Sequence, residues 1–205
     1  MTRAPTRRSC EWSLGDALMQ RYHDAEWGVP LYDDRKLFEF LILEGMQAGL
    51  SWRTVLHKRE NFRWAFDRFN PRTVARYRAA KVRQLLQDAG IIRNRMKIEA
   101  AITNAHAFLY VQKRHGRFSR FMWDMIGGRP IQNAWTTLKQ LPCRTPESDR
   151  LSAALLEAGF RFVGSTICYA HMQATGMVND HLVHCFRYRQ VAALARSSTR
   201  LVVAA

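Results

Sequence analysis

The sequence predicts an all-α fold, on three observations. Apolar residues recur at three- and four-residue spacings along most of the chain, as on the buried face of a helix. No alternating apolar and polar run is long enough to make a useful strand, and there is no internal repeat or low-complexity segment. Asp, Asn-Pro, Thr-Pro and Gly stand where the helical patterns begin and end.

In chain order, residues 1–9 read as a flexible basic arm. Two aromatic-rich stretches follow, Cys10-Glu11-Trp12 and residues 22–28, close to the first helices. Residues 28–34 form a turn, and Asp33 or Asp34 caps a helix running from about Arg35 to about Ala48. Gly49 weakens that helix, and Ser51 restarts one that continues to Phe66. Asn70-Pro71 ends it and caps the next, whose apolar positions are Val74, Tyr77, Val82, Leu85 and Leu86. Ala89-Gly90 is a break, and 91–111 is a long helix. A basic segment, 113–120, leads to Phe121-Met122-Trp123, and 127–130 is a loop. Thr145-Pro146-Glu147-Ser148 opens a helix over 149–158. Residues 159–164 make a tight hairpin, 165–175 a helix, and 179–185 a last ordered turn. The tail after Arg187, with its apolar end Leu201-Val202-Val203, is assigned no element.

A chain of 205 residues can bury a sizeable core, in one large domain or two small lobes. There is no uncharged apolar run of membrane-spanning length, and the N-terminus lacks the apolar region of a signal peptide. These features point to the cytoplasm and away from a membrane partner. In that compartment four cysteines suggest metal ligands or buried thiols rather than disulfides. The 32 basic residues, most of them Arg, against 17 acidic ones give a net charge of +15. Such an excess fits a nucleic acid or another anionic surface, because guanidinium groups fork onto phosphates.

The stretch Leu43-Glu44-Gly45-Met46-Gln47-Ala48-Gly49-Leu50-Ser51-Trp52 closes one of the most apolar runs in the chain. An ionised carboxylate in such surroundings costs several kcal/mol or more unless it is paired, protonated or part of a site. On a continued helix Gln47, Ala48 and Ser51 share the face of Glu44, with Trp52 displaced round the axis. A carboxylate, an amide and an indole beside small residues suit a flat, hydrogen-bonding ligand. The alternative is a surface Glu on an amphipathic helix.

His181 and Cys185 are four apart and can share one face, and Cys10 and His23 lie at the other end of the chain. A Cys₂His₂ set split this way would make a closed tetrahedral site tying the two ends together, the alternative being four unrelated residues. Cys143 and Cys168 are read as buried thiols. The hairpin at 159–164 would turn the backbone N–H groups of Gly164, Ser165 and Thr166 outward at a helix start, where they can hold a phosphate. An ordinary turn between helices would look the same.

Taken together, Cys10-Glu11-Trp12, the run from Tyr22 through Trp27 to Pro30, the run from Leu43 to Trp52, Asp88 to Arg93, Gly159 to Gly164 and Val178-Asn179-Asp180-His181 resemble the DNA-3-methyladenine glycosylase I family of the helix-hairpin-helix glycosylase superfamily. The resemblance covers roughly residues 8–186. It implies a single helical domain over 10–186, two lobes with a pocket between them, and a tail over 187–205. It implies one structural Zn²⁺ per chain on Cys10, His23, His181 and Cys185, and an alkylated base flipped from double-stranded DNA. Glu44, Tyr22 and Trp52 would bind that base, with Trp12 and Trp27 near the pocket. Glu44 would be catalytic, and Asp180 is a second candidate through its position after the hairpin. A monomer without an obligate protein partner is expected, acting as a glycosylase without lyase activity, since no Lys stands at the hairpin. His184 departs from the pattern and is expected to point away from the metal. A DNA-binding module without catalysis, or a glycosylase of shifted base choice, are the competing functions.

Overall fold

Ten consecutive residues, Leu37 to Met46, are buried in α2 (Asp34–Gln47). The computed structural model describes residues 8–202, with side chains as far as Ala195. Most of the basic arm expected at 1–9, and Val203 at the end of the tail, lie outside the described residues. Before α2 comes α1 (Ala17–Ala25), and after it α3 (Trp52–His57), α4 (Arg59–Ala65), α5 (Pro71–Val74), α6 (Ala79–Gln87), α7 (Arg95–His115) and α8 (Phe118–Asp124). The chain ends with α9 (Pro146–Glu157), α10 (Ser165–Ala174) and α11 (Phe186–Val202). Of these, α3, α7, α8 and α10 pack against α2. Two short strands, β1 (Ile131–Gln132) and β2 (Val178–Asn179), pair in parallel. No helix among the described residues is long and apolar enough to cross a membrane.

Both ends of α2 are satisfied by side chains. Asp33 accepts from the Lys36 N–H as N-cap. Asp34 reaches across to the start of α8, accepting from the N–H groups of Phe118 and Ser119 at 2.9 and 2.8 Å. At the far end Lys97 of α7 donates to the carbonyls of Met46 and Ala48 at 2.8 and 2.6 Å, closing acceptors that the helix leaves open. The chain then turns through Gly49, at φ +76°, and Ser51 caps α3.

The hairpin between α9 and α10 is fixed from two sides. Asn104 of α7 donates to the Arg161 carbonyl at 3.0 Å and accepts from the Arg161 N–H at 2.7 Å. Ser152 of α9 donates to the Val163 carbonyl at 2.7 Å. A Cβ on Gly45 would come within 3.4 Å of Phe162, so the bare backbone beside Glu44 lets the hairpin pack directly on α2.

Several boundaries differ from the sequence expectation. The helix expected over 51–66 breaks at Lys58 into α3 and α4. The next divides at residues 75–78 into α5 and α6. The long helix begins at Arg95 rather than Ile91, because Asn94 caps it, and extends to His115. Ala48 and Ser51 do not continue α2; one ends it and the other starts α3. Cys168 is buried as expected, but Cys143 is exposed, since it lies in the loop before α9 rather than on a packed face. The tail assigned no element is α11, with Val191 fully buried beside Gly28.

Gly176 ends α10 at φ +70°, and a Cβ there would fall 2.3 Å from the Val29 carbonyl carbon and 2.4 Å from Pro30 N. Both atoms are backbone, so the clash cannot be relieved by a rotamer. Gly176→Ala is therefore expected to destabilise the protein by about 3 kcal/mol or more, measured by denaturant unfolding.

Candidate active site

Glu44 lies one turn before the end of α2 and opens onto a cavity of about 300 Å³. Trp12, Met19, Tyr22 and Trp27 line it from the N-terminal side, Gln47 and Trp52 from α2 and α3, Ala170 and Gln173 from α10, and Leu141 from the loop after β1. The aromatic wall is continuous. The Tyr22 and Trp52 rings are 5.3 Å apart and those of Trp12 and Trp27 5.0 Å, edge to face, with Trp12 and Tyr22 6.4 Å apart between the two pairs. Phe40 backs both Tyr22 and Trp52 at 6.4 Å. The indole N–H of Trp52 is buried and finds no acceptor among the described residues. All five side chains expected at a base pocket thus line one space.

The carboxyl of Glu44 is 4% exposed and accepts no hydrogen bond among the described residues. Burial pushes its pKa up from 4.5 to about 8, and the nearby charge of Arg59 offsets only part of this. Tyr22 is raised well above its usual range, by burial first and by the Glu44 charge second. The site therefore combines a carboxyl in unfavourable surroundings with electron-rich ring faces, which favours a cationic, planar occupant.

Asp180 is 1% exposed and its acceptor capacity is filled. One oxygen accepts from Asn133 Nδ2 at 2.7 Å and Trp135 Nε1 at 2.8 Å, the other from the Tyr169 hydroxyl and Gln173 Nε2, both at 2.7 Å. Such a carboxylate fixes neighbours in place and has little capacity left to take a proton from water.

Cys10, His23, His181 and Cys185 are all buried, and their ligand atoms lie within 4.8 Å of one another. Cys10 Sγ to His181 Nδ1 is 3.8 Å, Cys185 Sγ to His23 Nε2 3.4 Å, and Cys185 Sγ to His181 Nδ1 3.7 Å. A tetrahedral metal with zinc's bond lengths needs ligand separations of about 3.4–3.8 Å. The ring nitrogens facing away are held as a metal site requires. His181 Nε2 donates to the Trp27 carbonyl at 3.0 Å and His23 Nδ1 to Asp24 at 2.7 Å, which leaves a lone pair on each inward nitrogen. The Cys185 thiol is pulled below its usual range, first by hydrogen bonding with Cys10 and then with His181 and His23. The donor set fits a metal. His184 is turned outward, with Nε2 3.6 Å from Glu11.

At the start of α10, Gly164 and Thr166 are exposed, and a Cβ on Gly164 would meet nothing. The Ser165 hydroxyl is engaged by Ser148 and Asp149, which leaves the backbone N–H groups of that turn and the exposed Thr166 hydroxyl as donors.

Sequence reasoning missed Gln173, Leu141, Met19, Arg59 and Lys97. Tyr169 and Gln173 are four apart on α10 and meet one carboxylate, a spacing that was legible but had no partner to suggest it. Leu141 follows a segment anchored by the pairing of β1 with β2 and by the bonds of Asn133 and Trp135 to Asp180.

The family model described as methyladenine glycosylase matches residues 12–188. DNA-3-methyladenine glycosylase 1 of Escherichia coli (strain K12) is 51% identical over 179 residues, spanning 87% of this chain and 96% of that protein. A crystal structure of 3-methyladenine DNA glycosylase I superposes with TM-score 0.86 at 50% identity, covering 87% of this chain and 98% of that one. A Tyr-to-Phe variant of such an enzyme, solved in complex with 3-methyladenine, gives TM-score 0.84 at 32% identity over 87% and 96% of the two chains.

A carboxyl group whose pKa is higher folded than unfolded holds its proton in the native state while the unfolded chain releases it. The contribution of Glu44 is therefore intact below about 4.5 and is lost as pH rises toward about 8. Stability of the unmodified protein relative to Glu44→Gln is expected to fall between pH 5 and pH 8.5, by on the order of a few kcal/mol in parallel urea titrations.

Proposed function

The chain belongs to the methyladenine glycosylase family, and from that premise we propose that it excises 3-methyladenine from alkylated double-stranded DNA by hydrolysing the N-glycosidic bond of a flipped nucleotide. The observation that carries this reading is Glu44, buried at an aromatic cavity and without a hydrogen-bond donor among the described residues. Methylation at N3 makes the adenine cationic. A cationic ring gains about 0.5–2 kcal/mol from each good aromatic face, supplied here by Tyr22 and Trp52 with Trp12 and Trp27 beside them. Flipping costs about a few kcal/mol, and less at a damaged base. Backbone N–H groups at Gly164, Ser165 and Thr166, with the arginine-rich surface, would hold phosphates without reading sequence.

In the chemical step the glycosidic bond breaks with its electron pair going to the base, which leaves neutral. Water adds to the sugar carbon and releases a proton. The leaving group is already activated, so no strong base is needed. Ionised Glu44 would bind the exocyclic amine and favour positive charge developing on the sugar. Asp180, with all its acceptors engaged, is assigned to positioning rather than to activating water.

No lysine stands at the hairpin. Lys97, which packs beside it, is held by two carbonyls of the α2 terminus, which supports a monofunctional enzyme without Schiff-base chemistry. We assign the metal as one structural Zn²⁺ held by Cys10, His23, His181 and Cys185. When bound it supplies a cross-link between the two ends of the chain. The domain is proposed to span 10–186, acting as a cytoplasmic monomer.

Purified protein incubated with methylated duplex DNA is expected to release 3-methyladenine, identified by chromatography, and to leave the phosphodiester backbone intact. Glu44→Gln should be slower by about tenfold or more. Folded protein that binds the DNA but frees no base would replace this reading with a DNA-binding module. Removing the metal with a chelator is expected to lower Tm by about 10 °C, read by calorimetry, with recovery on adding Zn²⁺.

A further inference from the structure

We propose that Gln173 reads the exocyclic amine of the bound base, with Asp180 locking its side-chain amide so that the carbonyl oxygen Oε1 is the atom presented to the cavity. The inference rests on the function proposed above and extends its pocket by a residue to which no role was assigned.

Gln173 lines the cavity from α10, on the opposite helix from Glu44. Its Nε2 donates to Asp180 Oδ2 at 2.7 Å. An amide can normally turn over and exchange its donor and acceptor ends. Here it cannot, because Asp180 offers only acceptors to Gln173, and turning the amide would set oxygen against oxygen in a buried place. Asp180 is itself immobilised by Asn133, Trp135 and Tyr169, drawn from two other parts of the chain. The orientation of Gln173 is thus fixed through Asp180, which three further contacts hold in place. No protein donor bonds Oε1 among the described residues, so a fixed acceptor is left over on a residue that faces the cavity.

An adenine-type base carries an amine with two N–H groups. Glu44 can take one and Gln173 Oε1 the other. A base with an oxo group at that position would set its oxygen against Oε1. Gln173 is therefore a specificity residue, and Asp180 acts through it.

The test compares binding of free 3-methyladenine and free 3-methylhypoxanthine to the full-length, metal-loaded protein by calorimetry. The unmodified protein is expected to prefer the amine-bearing base by about tenfold or more. Gln173→Met should bind 3-methyladenine about tenfold more weakly and 3-methylhypoxanthine within about threefold of the unmodified protein. In Glu44→Met, where the other acceptor is gone, a preference for the amine should persist at about tenfold, and this arm does not depend on how Gln173→Met folds. Equal weakening of both bases in Gln173→Met, or loss of the preference in Glu44→Met, overturns the proposal and leaves the glycosylase reading standing. Failure of the unmodified protein to bind either base removes both.

Discussion

Over a stretch buried on every side a helix has to account for each charge it carries, and α2 carries two glutamates five residues apart within its ten buried residues. The first, Glu39, is answered in full. Arg59 Nε donates to it at 2.7 Å, and Arg63 donates through Nε at 3.0 Å and Nη2 at 2.7 Å. Arg59 also reaches Glu26 and lies 4.8 Å over the Phe40 ring, so the pairing is built into the packing. The second, Glu44, receives none of this. The same Arg59 lowers its pKa somewhat without offsetting its burial. Uncompensated buried carboxyls are costly, and a fold able to neutralise one on this helix has left the other open toward a cavity. The contrast between the two, on one element, is the strongest physical mark of a site in the chain.

The cavity depends on the two ends of the chain being brought together. Cys10 precedes Trp12 by two residues, His23 follows Tyr22 directly, and the Trp27 carbonyl is the acceptor for His181 Nε2. Each aromatic on the N-terminal wall is therefore within a few bonds of the Cys–His cluster. From the C-terminal side, Asp180 adjoins His181 and pins Asn133 and Trp135, which carries the following loop and Leu141 to the rim. Behind the cluster, a Cβ on Gly28 would lie 3.1 Å from the His181 ring and 3.8 Å from Val191 of α11. Stability and pocket shape are consequently set by the same few contacts.

Much of this was legible in the sequence, for identifiable reasons. α2 announced itself through an apolar run longer than a strand, a capping Asp and an acid out of place at its end. The four metal-type residues and the aromatics lay in short stretches whose neighbours are also their structural neighbours. The failures have equally local causes. Lys58 is a sound helix former, so nothing in composition marks the break between α3 and α4. After α4, Asp67, Arg68 and Phe69 all take positive φ, which no glycine signals. Ile91 continues an apolar period, but Asn94 captures the Lys97 N–H at 3.1 Å and starts the helix there. The Asp180 network eluded reading because its donors come from residues 133, 135, 169 and 173, and hydrogen bonds across such gaps follow no period.

The balance at Glu44 also bears on how a pocket can be selective for damage when undamaged adenine has the same outline. Burial raises the pKa of the carboxyl to about 8, so that near neutral pH it mostly keeps its proton. A neutral base entering the cavity removes more water and makes ionisation harder still. A cationic base does the reverse, because an adjacent positive charge favours the carboxylate, and each then stabilises the other in surroundings of low dielectric. Under the proposed function, discrimination comes from this coupling and the aromatic faces more than from shape. The cost of burying Glu44 without a partner, borne by the fold throughout, is relieved only when the ligand supplies the missing charge.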